Sequence, residues 1–422
     1  MARPRVGLAH GEVGEAPDAF TPAGLAAVTA LVARAIAAAG CDLPALVGGK
    51  SVLLKPNLVR PNPNSPRSVV TDERVILAVI DLVRAAGAAA IRVGDNPGYG
   101  LSLFAAMAGM ADFTRRLAEH GAELVHFDAA DPVAVANPTA LLFDPVPLPR
   151  VLLEADVYIN IPKMKTHVHT LVTLGIKNQY GLILDDNRMP WHRNDINVKI
   201  IDILRVVKPD LTVVDALWAV QGQAPLSGSS VPDMNVIAAG TDVCAVDAVC
   251  ADLMGIAVDE VAMLRLAGQE GLGETDLAAI EVVGEDPDQL RRRFARPVLS
   301  SMGAYPAVRV IEGGACQGCL SALRHALDKL GSEDGFAGRA QATLYVGVPM
   351  PETVNLRNVR GQLWCFGACS APLIYNTKEP GRIARHIPGC PPHILDFYKA
   401  YKAAAAPDSG TGTGKDHRTP CA

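Results

Sequence analysis

The sequence predicts an α/β fold in two modules: a doubly wound, mostly parallel sheet domain over residues 1–290, a smaller α/β module over 306–405, and a disordered tail over 406–422. Three observations carry this expectation. From Arg5 to about Val283, short β-branched runs alternate with amphipathic helical stretches. Between Gly284 and Pro306 the chain turns charged, with Glu285, Asp286, Asp288 and Arg291 to Arg293, as a connector or outer helix does. Beyond that point the cysteines gather, five of the nine lying between Ile311 and Pro392.

Composition narrows the class. The 422 residues are 49% hydrophobic and 20% charged, as in an ordinary globular protein with room for two or three cores. A net charge of −5 argues against general nucleic-acid binding. The best apolar run, Leu25 to Gly40, is alanine-rich, carries Arg34 and is too short for a membrane span. Met1-Ala2-Arg3-Pro4-Arg5-Val6 does not lead into a signal-peptide core, so the cytoplasm is the expected compartment.

In the first module, Thr21-Pro22 opens a helix with a capping hydroxyl and a first-turn proline, and Gly40 closes it. Val52-Leu53-Leu54 is a buried strand stopped by Lys55-Pro56-Asn57. Thr71-Asp72 caps a helix that runs through Val75, Val79, Leu82 and Val83 to Gly87, and Ile91-Arg92-Val93 is the strand after it. Ligands of such sheets bind outside the carboxyl ends of the strands, where Lys55, Asn57 and the Gly94-Asp95-Asn96-Pro97-Gly98 loop stand.

A denser stretch follows the strand Val157-Tyr158-Ile159. It reads Asn160-Ile161-Pro162-Lys163-Met164-Lys165-Thr166-His167-Val168-His169-Thr170, continues through Gly175-Ile176-Lys177-Asn178-Gln179-Tyr180-Gly181, and adds Arg188, His192 and Arg193. One strand-end loop and the helix after it thus bring several cations and two histidines together, a local anion site in an acidic chain. The plain alternative is a solvated helix face, but Lys163 and Lys165 alternate beside Pro162 in a segment that should still be extended. His167 is the candidate proton carrier, and His169 could equally join it as half of a metal site. Leu211 to Asp215 is a strand ending in an acid at the same edge, and Gln221 to Gly228 is a glycine–proline loop. Asn235 to Ala239 is a strand, and Asp242 to Gly255 a helix whose Cys244 and Cys250 are core thiols. No Gly-x-Gly-x-x-Gly run follows a strand, so neither NAD nor flavin is expected.

Lys55-Pro56-Asn57, Thr71-Asp72, Gly94 to Pro97, Asn160-x-Pro162-Lys163-x-Lys165-x-His167, Lys177-Asn178-x-x-Gly181, Asp215 and Asp247 occur in order and at plausible spacing. Together they resemble the signatures of the family known as domain of unknown function 362. That resemblance implies company with ferredoxin-type cluster modules and no general reaction.

The second module reads Glu312-Gly313-Gly314-Ala315-Cys316-Gln317-Gly318-Cys319, then Cys365-Phe366-Gly367-Ala368-Cys369, then Ile387-Pro388-Gly389-Cys390-Pro391-Pro392. A cubane iron–sulfur cluster needs four thiolates converging from short, rigid segments, and these glycines and prolines supply them. Structural zinc accepts the same ligands but usually pairs two Cys-x-x-Cys knuckles, and a disulfide framework does not suit a long cytosolic chain. Strands are expected at Ala307 to Ile311, Thr343 to Val346 and Gly361 to Trp364, with helices from about Leu320 to Leu330 and His393 to Ala405.

These segments resemble the proximal-cluster region of the nickel–iron hydrogenase small subunit, a relative of the quinone-reductase subunit that carries the terminal cluster. The resemblance implies a flavodoxin-like module and a 4Fe–4S cluster held by Cys316, Cys319, Cys369 and Cys390, with Cys365 a spare thiol or an alternative ligand. It also implies Glu312 as a proton relay. The expected function is an iron–sulfur oxidoreductase that takes single electrons from a ferredoxin-like donor and passes them to an anionic small molecule or cofactor. Lys55, Asn57, Asp95, Lys163, Lys177 and Asn178 would bind that molecule, with Lys165 and His167 catalytic. Two other functions fit the same residues: a non-catalytic electron-transfer or assembly subunit of a larger redox complex, and a non-redox isomerase or lyase with a structural cluster. A homodimer and a place in a redox complex are both compatible with the chain.

Overall fold

The computed structural model describes residues 3–13, 21–58, 69–96, 112–184, 196–225, 227–297, 305–334, 336–350, 359–376 and 383–404. Pro97, Gly98, Arg188, His192, Arg193, Leu226, the 298–304 part of the connector, Ala405, Cys421 and the 406–422 tail lie outside the described residues. The chain divides into two compact units, Met1–Leu299 and Ser300–Ala422. The charged stretch follows the strand Glu281–Gly284, begins inside the first unit and carries the short helix Pro287–Leu290, as the outer-helix alternative has it.

The strands of the first unit are β1 Arg5–His10, β2 Ser51–Pro56, β3 Ala90–Asp95, β4 Glu123–His126, β5 Val133–Val135, β6 Val146–Leu148, β7 Val157–Ile161, β8 Lys163–His167, β9 Leu171–Thr173, β10 Leu211–Gln223, β11 Ser227–Val231, β12 Val236–Gly240 and β13 Glu281–Gly284. β5 and β6 form a separate hairpin, and the other eleven form one sheet with the path β13-β1-β12-β10-β7-β2-β3-β4. β8 and β11 pair with β10, and β9 with β8. Only β12 runs against its neighbours on that path.

Alternation along the strands builds a core on each face. Val52, Leu54, Val157, Ile159, Leu211 and Val213 pack with the helices Pro22–Ala38 and Glu73–Ala85. Leu53, Tyr158, Val214 and Ala216 pack with the helices Ile196–Val206, Val243–Leu253 and Ala262–Gln269. Each fully buried aliphatic side chain of these layers is worth roughly 1.5–3 kcal/mol. The helix ends are where local chemistry puts them: Thr21 Oγ1 accepts from Gly24 N at 3.0 Å, and the side chain of Asp72 accepts from Arg74 N at 3.0 Å. No helix among the described residues is long and apolar enough to cross a membrane.

In the second unit β14 Val308–Glu312, β15 Ala342–Val346, β16 Gln362–Phe366 and β17 Ile383–Ile387 form a parallel sheet in the order β14-β15-β16-β17. Parallel strands were expected, but a flavodoxin-like sheet runs 2-1-3-4-5, and these strands follow chain order. β17 is additional to the expected strands. The helices Gln317–Asp334 and Ile394–Ala403 pack together, and Trp364 meets Phe397 edge-on at 5.9 Å between ring centres.

Candidate functional site

At the carboxyl edge of the large sheet, polar side chains turn inward. Lys55 and Lys163 are 0% exposed and Lys165 is 1% exposed. The expected loop is strand β8, paired with β9 and with the long β10: Lys163 stands opposite Asp215, and Lys165 opposite Thr173 on one side and Val220 on the other. The period of two puts Lys163, Lys165 and His167 on one face.

Buried ions are tolerated when they are paired. Lys163 Nζ lies 2.8 Å from Asp215 Oδ2, and Arg74 grips Asp72 with two hydrogen bonds of 3.0 and 2.7 Å. Lys55 Nζ lies 2.7 Å from Asp95 Oδ1, an ion pair without a well-directed hydrogen bond, while Asp95 Oδ2 accepts from Leu58 N at 2.7 Å. A Cβ on Gly181 would come within 2.7 Å of Lys55 Nζ and closer still to Asp95, so a glycine is what lets the 179–182 turn close over this pair. Two lysines expected to bind an anion, Lys55 and Lys163, thus meet carboxylates of the chain itself. Asp215 also accepts from Asp72 N at 2.6 Å and from Leu217 N at 3.0 Å. Burial pushes Asp215 above the usual carboxylate range, Lys163 opposing and Asp72 adding to it. Burial acts on Asp72 in the same direction, but the Arg74 guanidinium more than offsets it and holds that carboxyl below its ordinary value.

Lys165 differs. Its Nζ donates to Asn57 Oδ1 and to the Val69 carbonyl, both at 2.8 Å. Asn57 Nδ2 donates to Asn178 Oδ1 at 2.9 Å, Asn178 Nδ2 to Asn160 Oδ1 at 2.8 Å, and Asn160 Nδ2 to the Gly175 carbonyl at 2.9 Å. The amides form a one-way chain with Lys165 at its donor end. Burial first, then the neighbouring Lys177 and Lys163, push the Lys165 amine well below the usual lysine range.

His167 is 7% exposed and its Nδ1 accepts from His169 N at 3.0 Å. The two rings lie 5.5 Å apart, yet among the described residues no group of three or more His, Cys, Asp and Glu is placed to hold a metal ion, so no third ligand joins them. Lys177 Nζ sits 5.2 Å from the Tyr180 ring centre. Asp247 takes Gly175 N at 2.7 Å and Ile176 N at 2.8 Å, anchoring the turn that carries Lys177 and Asn178, and burial pushes its carboxyl up to about 7. Asn160, Asp215, Asp72 and Arg74 belong to this network but were not expected as site residues. Asn160 and Asp215 do stand at strand ends, which is the signal that could have found them.

In the second unit the cysteines follow strand ends: Cys316 after β14, Cys369 after β16 and Cys390 after β17, with Cys319 in the first turn of the Gln317–Asp334 helix. Cys319 is buried and the other three are exposed. Burial, then Cys316, which shares a hydrogen bond with it, then Cys390 and Cys369 push the Cys319 thiol up to about 12. Burial, Cys369 and Cys316 likewise raise Cys390. Cys365 stands apart. It is buried with Tyr345, Leu363 and Leu373, its side chain shares a hydrogen bond with Ser370, and burial raises it to about 11. Of the two candidates for the third ligand, Cys369 is the one that keeps company with the other three.

Gly367 has φ +95°, and a Cβ there would stand 3.0 Å from Cys319 Sγ, so the glycine leaves room beside that sulfur. Four thiolates on one zinc at Zn–S ≈ 2.3 Å would lie about 3.8 Å apart. A cubane takes each thiolate at a different corner and accepts wider spacing; among the described residues no group of three or more His, Cys, Asp and Glu is placed to hold a metal ion. Glu312 ends β14, half-buried, opposite Val346.

Fold and site together define a mixed α/β protein whose large, mostly parallel sheet carries a buried lysine–carboxylate–amide network at its carboxyl edge. The chain belongs to the DUF362 family, a domain of unknown function, which matches residues 52–252 and so takes in Lys55 through Asp247. It is 30% identical over 243 residues to a thylakoid-associated protein of Synechocystis sp., covering 55% of this chain and 70% of that one. Among solved structures, the lactate racemase apoprotein from Thermoanaerobacterium thermosaccharolyticum matches with a TM-score of 0.40 and 15% identity over 54% of this chain and 55% of its own. A Thermotoga maritima protein matches at 0.30 and 14% over 48% and 52%. The chain spans about half the length of these solved structures.

Proposed function

We propose that the protein is an iron–sulfur oxidoreductase in which Cys316, Cys319, Cys369 and Cys390 hold one 4Fe–4S cluster. The supporting observation is the company those four thiols keep on three strand-end loops and one helix start, with Cys365 turned into the apolar core. When bound, such a cluster supplies single-electron transfer. The chain's own part is to present four thiolates, to bury one side of the group at Cys319 and to clear space at Gly367.

The small molecule that exchanges electrons binds, on this reading, at the carboxyl edge of the large sheet, where Lys165 and His167 face one side. With Nδ1 accepting from the backbone, a neutral His167 carries its proton on Nε2, the atom from which it is donated. Lys55 and Lys163, held by Asp95 and Asp215, shape the field around that site, and Asn57 and Asn178 orient Lys165. A ferredoxin-like donor, an anionic substrate, a cytoplasmic compartment and kinship of the second unit with the hydrogenase small subunit belong to the same proposal. One feature favours a second reading, a non-redox isomerase or lyase with a structural cluster: an amine that burial and neighbouring lysines push well below the usual lysine range suits proton transfer as well.

The test is anaerobic purification with iron and sulfide analysis and a visible spectrum before and after dithionite. About four irons and four sulfides per chain, with absorbance bleached on reduction, is the expected result. Colourless protein carrying one zinc ends the redox reading.

A further inference from the structure

Three other cations of the Lys165 network, Lys55, Lys163 and Arg74, each meet a carboxylate, whereas Lys165 is offered two neutral acceptors. An ammonium brings three hydrogens and no lone pair, while an amine brings two hydrogens and a lone pair. Asn57 Oδ1 and the Val69 carbonyl use two hydrogens. Asn57 cannot reverse its amide, because its Nδ2 is committed to Asn178 Oδ1. The two acceptors leave one position on Nζ unused, the place that a lone pair takes in the amine.

A second observation points to a guest beside it. Thr173 is the cross-strand partner of Lys165, so the two side chains share a face with Cβ atoms about 4.5–5.5 Å apart. Thr173 is 3% exposed, and its hydroxyl has no hydrogen-bond partner. Gln179, next in the chain to Asn178, is 0% exposed and leaves both its amide oxygen and its amide nitrogen unpartnered. Buried polar atoms without partners mark a place that a polar molecule completes.

We propose that Lys165 is a nucleophile that condenses with a small aldehyde or ketone to form an imine, with the Thr173 hydroxyl donating a hydrogen bond to the carbonyl oxygen. The Nζ lone pair adds to the carbonyl carbon and the carbonyl π electrons move to oxygen. The nitrogen gives one proton to that oxygen, forming the carbinolamine, and its second proton goes to the same oxygen as the C–O bond breaks, so that water departs and the C=N bond forms. Amine and carbonyl become imine and water, so neither oxidant nor reductant is required. This deepens the reading of the Lys165 region as the substrate site and rests on it, but it does not depend on the cluster.

The experiment traps the imine on the full chain. The protein is incubated near pH 7 with glyoxylate or pyruvate and cyanoborohydride, digested, and the lysine peptides are followed by mass. Reduced adduct on Lys165, formed at least roughly tenfold faster than on exposed lysines, is the expected result, since burial and the neighbouring lysines disfavour the protonated form of this amine. Lys165→Arg and Lys165→Met leave that position unmodified. Thr173→Val slows the adduct roughly tenfold or more, as loss of a hydrogen-bond donor to the carbonyl oxygen does. Modification of exposed lysines with Lys165 untouched by either probe overturns the proposal, and an unchanged rate in Thr173→Val removes the hydroxyl from it. Colourless wild-type protein that still yields the Lys165 adduct ends the cluster reading alone.

Discussion

Cys365→Ala deletes a sulfur from strand β16 and Cys369→Ala one from the turn just after it, and their consequences should be opposite. Cys365 is 0% exposed and packs against Tyr345, Leu363 and Leu373. Removing it leaves a small cavity worth about 1 kcal/mol and strips Ser370 of a side-chain hydrogen bond worth about another 1 kcal/mol. For a unit of this size about 2 kcal/mol lowers the melting temperature by on the order of 10 °C. Cys369 is exposed, so its truncation costs the metal-free chain almost nothing while removing one of the four proposed ligands. The expected pair of outcomes is Cys365→Ala brown, with full iron and sulfide, and less stable than wild type when both are compared metal-free. Cys369→Ala should be depleted in iron and match the wild-type metal-free melt. Iron and sulfide per chain, visible absorbance and urea melts of the metal-free proteins measure all of it. The reasoning is refuted if Cys365→Ala is the bleached variant and Cys369→Ala keeps its colour.

Three further outcomes are expected. Lys163→Met strands Asp215 in the interior and should cost about 3–5 kcal/mol by urea denaturation, while the double variant Lys163→Met/Asp215→Leu recovers much of it; equal losses in the two would count against the pairing. Gly367→Ala places a methyl 3.0 Å from Cys319 Sγ at φ +95°, so it should lower the iron content and destabilise by on the order of 1 kcal/mol, read from iron analysis and melts. Asp247 holds its proton up to about pH 7 in the folded chain against an ordinary value of 3.8. The folded state thus binds that proton more tightly than the unfolded one: the stabilisation is complete below the ordinary value and is lost as pH rises through about 7, at roughly 1.4 kcal/mol per pH unit. Asp247→Asn should flatten that part of the stability–pH curve, and parallel curves for variant and wild type would sink the assignment.

The legible parts of the sequence are those fixed by near neighbours. Thr21 and Gly40 bracket a helix, Asp72 caps another, and β-branched runs at Val52 and Ile91 are buried strands because turn and capping chemistry acts over a few residues. β8 was not legible: alternating Lys163 and Lys165 look like a loop to anyone who cannot see β9 and β10 pair on either side. The burial of those lysines was hidden for the same reason, since the partner of Lys163 lies 52 residues away. β17 escaped because exposed Arg385 and half-buried His386 interrupt its apolar pattern at the sheet's edge. The cysteine grouping was readable because chemistry limits what so many thiols on glycine–proline turns can be for. The sequence left Cys365 as a spare thiol or an alternative to Cys369, because the burial of Cys365 against Tyr345, Leu363 and Leu373 depends on packing between strands distant in the chain.

The paired ions and the lone amine explain one another. Lys55 and Lys163 are buried against Asp95 and Asp215, and both act to make a third ammonium beside them costly. The carboxylates are thus what lets neighbouring lysines depress Lys165 without leaving a net field too strong to bury. The signs of two perturbations follow. Asp95→Asn removes a group that favours protonated Lys165 and should drive its amine further down, whereas Lys55→Met removes one that opposes protonation and should let it rise. A pH profile of Lys165 modification that shifts to lower pH in the first variant and to higher pH in the second requires charge coupling through the network; identical profiles would mean that burial alone sets the amine's state.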